Sequence, residues 1–152
     1  MLEERLRETR ELLELKGKDV AKTLGVSSKT IYGYEKDYDT IPLRNLIKYA
    51  NEYSFSLDYL FGLTNKNVPY EPIKIDLKAL GQNLTKLRIK NNLSQTYITN
   101  KLNIASGAYS HYENGKYLCT VKCLKGLIKI YDKISIDQLF NRVKANKNTK
   151  TN

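Results

Sequence analysis

The chain contains two copies of one sequence unit, and this repetition limits its fold more than any other feature. Comparing the sequence with itself at an offset of 78 aligns a series of identical residues in the same order, among them the following eight pairs. The first-copy members are Leu6, Arg10, Leu15, Leu24, Ser28, Tyr34, Glu35 and Leu46, and the second-copy members are Leu84, Arg88, Leu93, Leu102, Ser106, Tyr112, Glu113 and Leu124. Because 152 residues suffice for two small domains, we interpret the chain as one domain repeated.

The domain boundaries follow from two prolines and from the ends of the repeat. Pro69 and Pro72 lie in a polar stretch, where each removes a backbone donor and disfavours helix in the residue before it. We predict a domain over residues 1–64, a linker over 65–75, a second domain over 76–141 and a basic, flexible tail over 142–152.

Apolar residues at helical spacing, without strand-like alternation, predict an all-α chain with five helices in each copy. Gly25 and Asn103 fall at the same point of the repeat, and these residue types best tolerate a left-handed backbone. We therefore expect a sharp turn between the second and third helices of each copy. The predicted N-caps are Ser56, Asp76, Ser94 and Ser135, and the predicted terminators of the fifth helices are Gly62 and Asn141.

The formal net charge of +10 is concentrated in the second half of the chain. Residues 1–65 carry 10 Lys/Arg and 11 Asp/Glu, whereas residues 66–152 carry 16 and 5. Such a positive half favours a polyanion such as nucleic acid or anionic lipid. No apolar stretch reaches the roughly 20 residues that span a bilayer, and no signal-peptide pattern is present. We expect a cytoplasmic protein without a membrane partner.

The composition argues against metal binding and catalysis. Cys119 and Cys123, with one histidine, cannot supply four zinc ligands, so we expect two buried thiols in a reducing compartment and no cofactor. The histidine, His111, is adjacent to Ser110, and neighbours on a helix do not face each other. Without a glycine-rich phosphate loop or paired carboxylates, we predict neither an enzyme nor a small-molecule substrate.

Three residues of the first copy carry a resemblance to a known family. The spacing of a small residue, a turn glycine and an apolar anchor resembles that of the Cro/phage-repressor (XRE-like) helix-turn-helix family. These residues are Ala21, Gly25 and Ile31. This resemblance implies two tandem five-helix lambda-repressor-like DNA-binding domains, joined by the short Pro-containing linker. It implies double-stranded DNA as the partner, and it leaves homodimerisation open.

Other motifs extend the resemblance along both copies. Residues 34–35 and 112–115 are similar to the sequence that commonly ends the family's recognition helix, and residues 56–62 are similar to its final turn. In related repressors an Arg of the first helix pairs with the Glu that ends the recognition helix. The resemblance therefore implies two ion pairs, Arg10 with Glu35 and Arg88 with Glu113.

The two copies depart from the family pattern at different positions. The family usually has Gln at the start of the second helix, where it bonds a phosphate and braces a base contact. The second copy has Gln95 there, but the first has Gly17. The second copy replaces the small residue, the turn glycine and the apolar anchor by Thr99, Asn103 and Tyr109.

The third helix of each copy is the candidate DNA-reading element. Since Ile31 and Tyr34 would hold one face of it in the core, its opposite face must meet solvent. Hydroxyls, a lysine and an aromatic ring there suit base edges, thymine methyls and phosphates. With nearby polar residues of the second helix and the following loop, the candidate DNA-binding residues are Lys18, Ser28, Lys29, Thr30, Tyr32, Gln95, Ser106, Ser110, His111 and Lys116.

These features together favour a sequence-specific DNA-binding regulator, most simply a transcriptional repressor. A basic stripe predicted on the fourth helix of the second copy would add attraction to phosphates, and it consists of Lys122, Lys125, Lys129 and Lys133. The alternative is a protein-interaction module, such as an antitoxin or phage-type antagonist, whose helix-turn-helix units have drifted from DNA reading. Gly17, Gly107 and Ala108 favour that alternative.

Overall fold

The computed structural model of the chain describes residues 1–145, which form ten α-helices and no strands. The helices are α1 (Leu2–Leu12), α2 (Gly17–Leu24), α3 (Ser28–Glu35), α4 (Leu43–Tyr53), α5 (Leu57–Leu60), α6 (Leu77–Lys90), α7 (Gln95–Leu102), α8 (Ser106–Glu113), α9 (Val121–Ile130) and α10 (Ile136–Leu139). The all-α prediction is confirmed. No helix among these ten is long and apolar enough to cross a membrane.

The chain divides into two compact units. The first unit contains Met1–Ile73 and, of the described residues, also 143–145, and its helices are α1 to α5. The second unit contains Lys74–Arg142 and helices α6 to α10. Each unit buries its own apolar core.

Most of the segment predicted as a linker is bound to the first unit. Asn51 Nδ2 donates to the carbonyl of Ile73 at 2.8 Å, and the Ile73 N–H donates back to Asn51 Oδ1 at 3.1 Å. The Asn67 side chain accepts from the backbone N–H of Ser56 at 2.8 Å. These bonds satisfy backbone groups of Ser56 and Ile73, which lie outside the helices.

The first residues of the predicted tail also have partners. Arg142 is buried in the second unit, where its Nη1 donates to Asp137 Oδ1 at 2.9 Å. In the first unit the Glu71 N–H donates to the carbonyl of Val143 at 2.8 Å. Polar composition alone suggested a free tail here, because partners distant in sequence are invisible to it. The rest of the predicted tail, residues 146–152, lies outside the described residues.

Helix ends and turns follow the local sequence signals. All four predicted N-caps are confirmed, because each side chain accepts a hydrogen bond from a backbone N–H at the start of its helix. The acceptors are the Asp76 carboxylate and the hydroxyls of Ser56, Ser94 and Ser135. Gly25 and Asn103 are left-handed, with φ of 70° and 54°. The chain therefore reverses sharply after α2 and after α7, as predicted. These turns determine the direction in which α3 and α8 begin.

The fourth helix of the second unit is shorter than the basic stripe requires. Helix α9 ends at Ile130, and Tyr131 is extended with φ of −101° and ψ of 127°. Lys133 therefore lies beyond the helix, and the stripe on α9 is reduced to Lys122, Lys125 and Lys129. Periodicity missed this end because the extended Tyr131 remains buried like a helical core residue.

Both cysteines are buried and free, as predicted. Cys119 precedes α9, whereas Cys123 lies within it, so the two thiols do not lie on one face of a single helix. Burial raises the pKa of the Cys123 thiol to about 12, which keeps it protonated at neutral pH. Among residues 1–145, no three His, Cys, Asp or Glu side chains are grouped to hold a metal ion.

Candidate nucleic-acid interface

In the first unit, α2 and α3 pack closely around the glycine turn. Ala21 of α2 is buried, with an exposed fraction of 4%, so the small residue that the sequence placed in the core is there. Ile31 and Tyr34 anchor the inner face of α3, with exposed fractions of 3% and 7%. Ser27 caps α3 by accepting from the Thr30 N–H at 3.1 Å. The outer face of α3 is thereby held towards solvent.

An ion pair ties α3 to α1. Arg10 Nε donates to Glu35 Oε2 at 2.7 Å and Arg10 Nη2 donates to Glu35 Oε1 at 3.0 Å, which confirms the pair that the resemblance implied. Arg10 Nη1 also donates to the carbonyl of Leu15 at 2.9 Å. The hydrogen bond to Glu35 raises the pKa of Arg10 above its usual value although burial opposes this. This two-point bond fixes the end of α3.

The predicted site residues of the first unit lie on α2 and α3. Lys18 and Lys29 are exposed, and Tyr32 is 42% exposed. Ser28 and Thr30 are half-buried, and the Thr30 hydroxyl lies 2.9 Å from that of Ser27. The outer face therefore offers one ammonium group, one phenol and two hydroxyls, of which that of Thr30 is oriented by its contact with the cap residue Ser27.

The second unit repeats the ion pair and adds to it. Arg88 Nε and Nη2 donate to the Glu113 carboxylate at 2.8 and 3.0 Å. Gln95 Nε2 and the Thr85 hydroxyl each donate to Glu113 Oε1 at 3.0 Å. Four donated hydrogen bonds thus hold one carboxylate whose side chain is only 3% exposed.

Two predicted site residues of the second unit have partners inside it. Gln95, which the resemblance directs to a phosphate and a base contact, donates instead to Glu113. His111 is half-buried and packs edge-on against Tyr117, with ring centroids 5.3 Å apart. The sequence alone does not reveal these partners, since both contacts depend on how the chain folds back. The remaining predicted residues are exposed or half-buried, namely Ser106, Ser110 and Lys116.

A basic groove of about 480 Å³ between α7 and α9 was not predicted. Its charged rim brings Lys101 of α7 together with the three lysines of α9 that remain on the helix, and Lys101 Nζ lies 5.6 Å from the ring centre of Tyr97. No acidic residue lines it. At the corresponding positions of the first unit, 78 residues earlier, two basic residues are balanced by two acidic ones, namely Arg44, Lys48, Asp19 and Glu52. The groove's charge is therefore specific to the second unit.

Acidification is expected to weaken the second unit through Glu113. Burial acts to raise the pKa of Glu113, but the hydrogen bonds from Arg88, Gln95 and Thr85 together outweigh it, and the pKa is lowered. The stabilisation from the charged form is therefore complete above the unfolded-state pKa of about 4.3, and it is lost as the pH falls through the lower folded-state pKa. Denaturant midpoints measured from pH 7 down to pH 3 should fall at the acid end. The variant Glu113→Gln should flatten this fall, and an unchanged slope would contradict the assignment.

A buried, capped helix pair crossing at a left-handed turn, with the outer face of the second helix exposed, defines a helix-turn-helix protein. The family model described as Helix-turn-helix matches residues 6–60, which lie in the first unit. The protein named Uncharacterized HTH-type transcriptional regulator YobD of Bacillus subtilis (strain 168) is 32% identical over 83 residues, which cover 55% of this chain and 70% of that protein. The chain belongs to the helix-turn-helix family. No solved structure matches it.

Proposed function

We propose that the chain is a cytoplasmic transcriptional regulator, most simply a repressor, that binds double-stranded DNA in a sequence-specific manner. The observation that carries this proposal is the outer face of α3, which presents Lys29 and Tyr32 to solvent while Ile31 and Tyr34 hold the inner face in the core. An exposed helix of this size enters the major groove, where side chains distinguish all four base pairs. The helix-turn-helix relative supports the same function.

We propose further that the second unit is a second helix-turn-helix domain, so that the chain contains two tandem five-helix domains. Three features support this. The second unit has the same helix order, a left-handed residue at the same point of the turn, and an Arg–Glu pair with the same geometry. Two recognition helices, α3 and α8, would then belong to one chain and could contact two half-sites.

The units differ in the kind of binding energy that they can supply. Between residues 74 and 142 there are 12 Lys/Arg and four Asp/Glu, whereas residues 1–73 have 11 and 12. Phosphate contacts give affinity without sequence information, and base contacts give specificity. The second unit, with its basic groove, would therefore supply most of the backbone affinity, and α3 would supply much of the base recognition.

Fluorescence anisotropy with a labelled duplex, repeated from 50 to 300 mM salt, tests DNA binding directly. We expect the logarithm of the binding constant to fall linearly with the logarithm of the salt concentration, by about 0.9 per phosphate contact. Weak binding that is independent of salt and equal for every duplex would contradict the proposal. It would favour the protein-interaction alternative, which is supported by the lack of side-chain bulk at Gly107 and Ala108 on α8.

Two variants separate backbone affinity from base recognition. Lys122→Ala combined with Lys129→Ala should weaken binding to all duplexes alike and reduce the salt slope by about two, because two exposed phosphate-binding ammonium groups are lost. Lys29→Ala should instead change the ranking of duplexes. If both variants weakened every duplex by the same factor, this assignment of roles would be wrong.

A further inference from the structure

Tyr32 of α3 lies directly over Gly17, the first residue of α2. A Cβ atom at Gly17 would stand 2.7 Å from Cζ of the Tyr32 ring and 2.9 Å from its hydroxyl, so a side chain there would push the ring out of this position. The backbone of Gly17 does not have a positive φ. Glycine is therefore suited to this position because it leaves space for the Tyr32 ring, and a side chain at position 17 would displace the ring.

The ring of Tyr32 also lies near a cation. Arg10 Cζ lies 5.6 Å from the ring centre, within the range of a cation–π contact. The same Arg10 is fixed by its two bonds to Glu35. A side chain that is 42% exposed is thus oriented before any ligand binds, which lowers the entropy lost on binding.

The second unit uses the opposite pair of residues at these positions. Gln95 corresponds to Gly17, and Ser110 corresponds to Tyr32. The Gln95 side chain, at the start of α7, donates to Glu113, and Ser110 has a small side chain where the first unit has the large Tyr32. In the first unit, only Arg10 among the described residues donates to Glu35. Of these two positions, the larger side chain is therefore Gln95 on α7 in the second unit and Tyr32 on α3 in the first unit.

A second pair of positions changes together in the same region. In the first unit Gly33 lies against Asp39, whose Oδ2 would be 3.0 Å from a Cβ at Gly33. In the second unit the corresponding residues are His111 and Tyr117, which form the edge-on ring pair. In each unit the two residues of the pair contact each other, and the chemistry of the pair differs between the units.

From these paired exchanges we infer that the chain's DNA target is a composite of two unlike half-sites, and that Tyr32 determines the specificity of the half-site contacted by the first unit. This inference rests on the proposed function. The ring of Tyr32 can pack against a thymine methyl group, and its hydroxyl can bond an acceptor or donor on a base edge. At the corresponding position the second unit has Ser110, which offers only a small hydroxyl group. One sequence cannot fit both faces equally well.

Selection of bound duplexes from a random pool tests the inference with the full chain. The wild-type chain should enrich a non-palindromic sequence with two different blocks. The double variant Gly17→Gln with Tyr32→Ser, which gives the first unit the residues of the second, should change the preferred bases in one block and leave the other unchanged. At that block, discrimination against a single mismatch should fall by about tenfold.

Two further variants keep the test independent of folding. Tyr32→Phe retains the ring over Gly17 and should preserve the block while reducing its selectivity. Tyr38→Ser removes a tyrosine that is 78% exposed and lies beyond the end of α3, and it should change nothing. Two identical blocks, or an unchanged preference in both Tyr32 variants, would overturn the inference while leaving DNA binding intact. Failure of the wild-type chain to enrich any duplex would overturn the proposed function itself.

Discussion

Replacing Arg10 by methionine is expected to destabilise the first unit by about 3–5 kcal/mol, the usual cost of leaving one partner of a buried ion pair alone. The Glu35 side chain is 4% exposed, and no residue of the described chain other than Arg10 donates to it. Methionine can fill much of the arginine volume but cannot donate. Glu35 would then be a buried carboxylate without compensation, and the end of α3 would lose its tie to α1.

The matched replacement in the second unit, Arg88→Met, should cost less, about 1.5–3 kcal/mol, which is the value of a hydrogen bond to a charged group. Glu113 would keep the donors Gln95 and Thr85 after Arg88 is lost. The same chemical change at equivalent positions therefore has unequal effects, because only one carboxylate has additional donors.

Native-state hydrogen exchange, read by mass spectrometry on the full chain, reports the opening free energy of each unit separately. We expect amides of α1 and α3 to lose more protection in Arg10→Met than amides of α6 and α8 lose in Arg88→Met. The double variant Arg10→Met with Glu35→Leu serves as the control, and it should recover much of the loss because no buried charge remains. Equal losses, or a larger loss for Arg88→Met, would contradict this account of the two carboxylates.

Features set by neighbours in sequence were predictable from the sequence. The all-α fold, the four N-caps and the left-handed turns at Gly25 and Asn103 follow from local propensity, and the structure has all of them. The ion pair between Arg10 and Glu35 was also predictable, although only through the family resemblance, since 25 residues separate its members.

Features that depend on non-local contacts were not predictable in the same way. The bond between Asn51 and Ile73 makes most of the predicted linker part of the first unit, and no local pattern indicates it. The sequence shows only that Gly17 stands where the family usually has a glutamine. The structure shows that the end of the Tyr32 side chain lies against this glycine. The basic groove likewise requires α7 and α9 to be side by side, which periodicity in each helix does not specify. The sequence therefore indicated which residues belong to the candidate interface, but it did not indicate which residues Gln95 and His111 contact within the second unit.

The second large effect is expected from Gly81→Ala in α6, which should destabilise the second unit by about 3 kcal/mol through overpacking. A Cβ at Gly81 would lie 2.8 Å from the carbonyl oxygen of Tyr112 and 2.9 Å from the carbonyl carbon of Glu113. These are backbone atoms, which cannot turn aside as a flexible side chain can. Helix α8 would have to move away from α6, and the Arg88–Glu113 bond would be strained with it.

Gly107→Ala in α8 is the matched control, because it adds the same methyl group to a helical glycine of the same unit. A Cβ at Gly107 meets no atom within 4 Å, and the residue is exposed. Only the backbone entropy changes there, so this variant should be more stable than the wild type by about 0.5–1 kcal/mol. Chemical denaturation of both variants measures the two shifts, which should have opposite signs. A Gly81→Ala chain as stable as the wild type would mean that α6 and α8 do not approach as closely in solution, and the geometry that orients α8 for DNA would have to be revised.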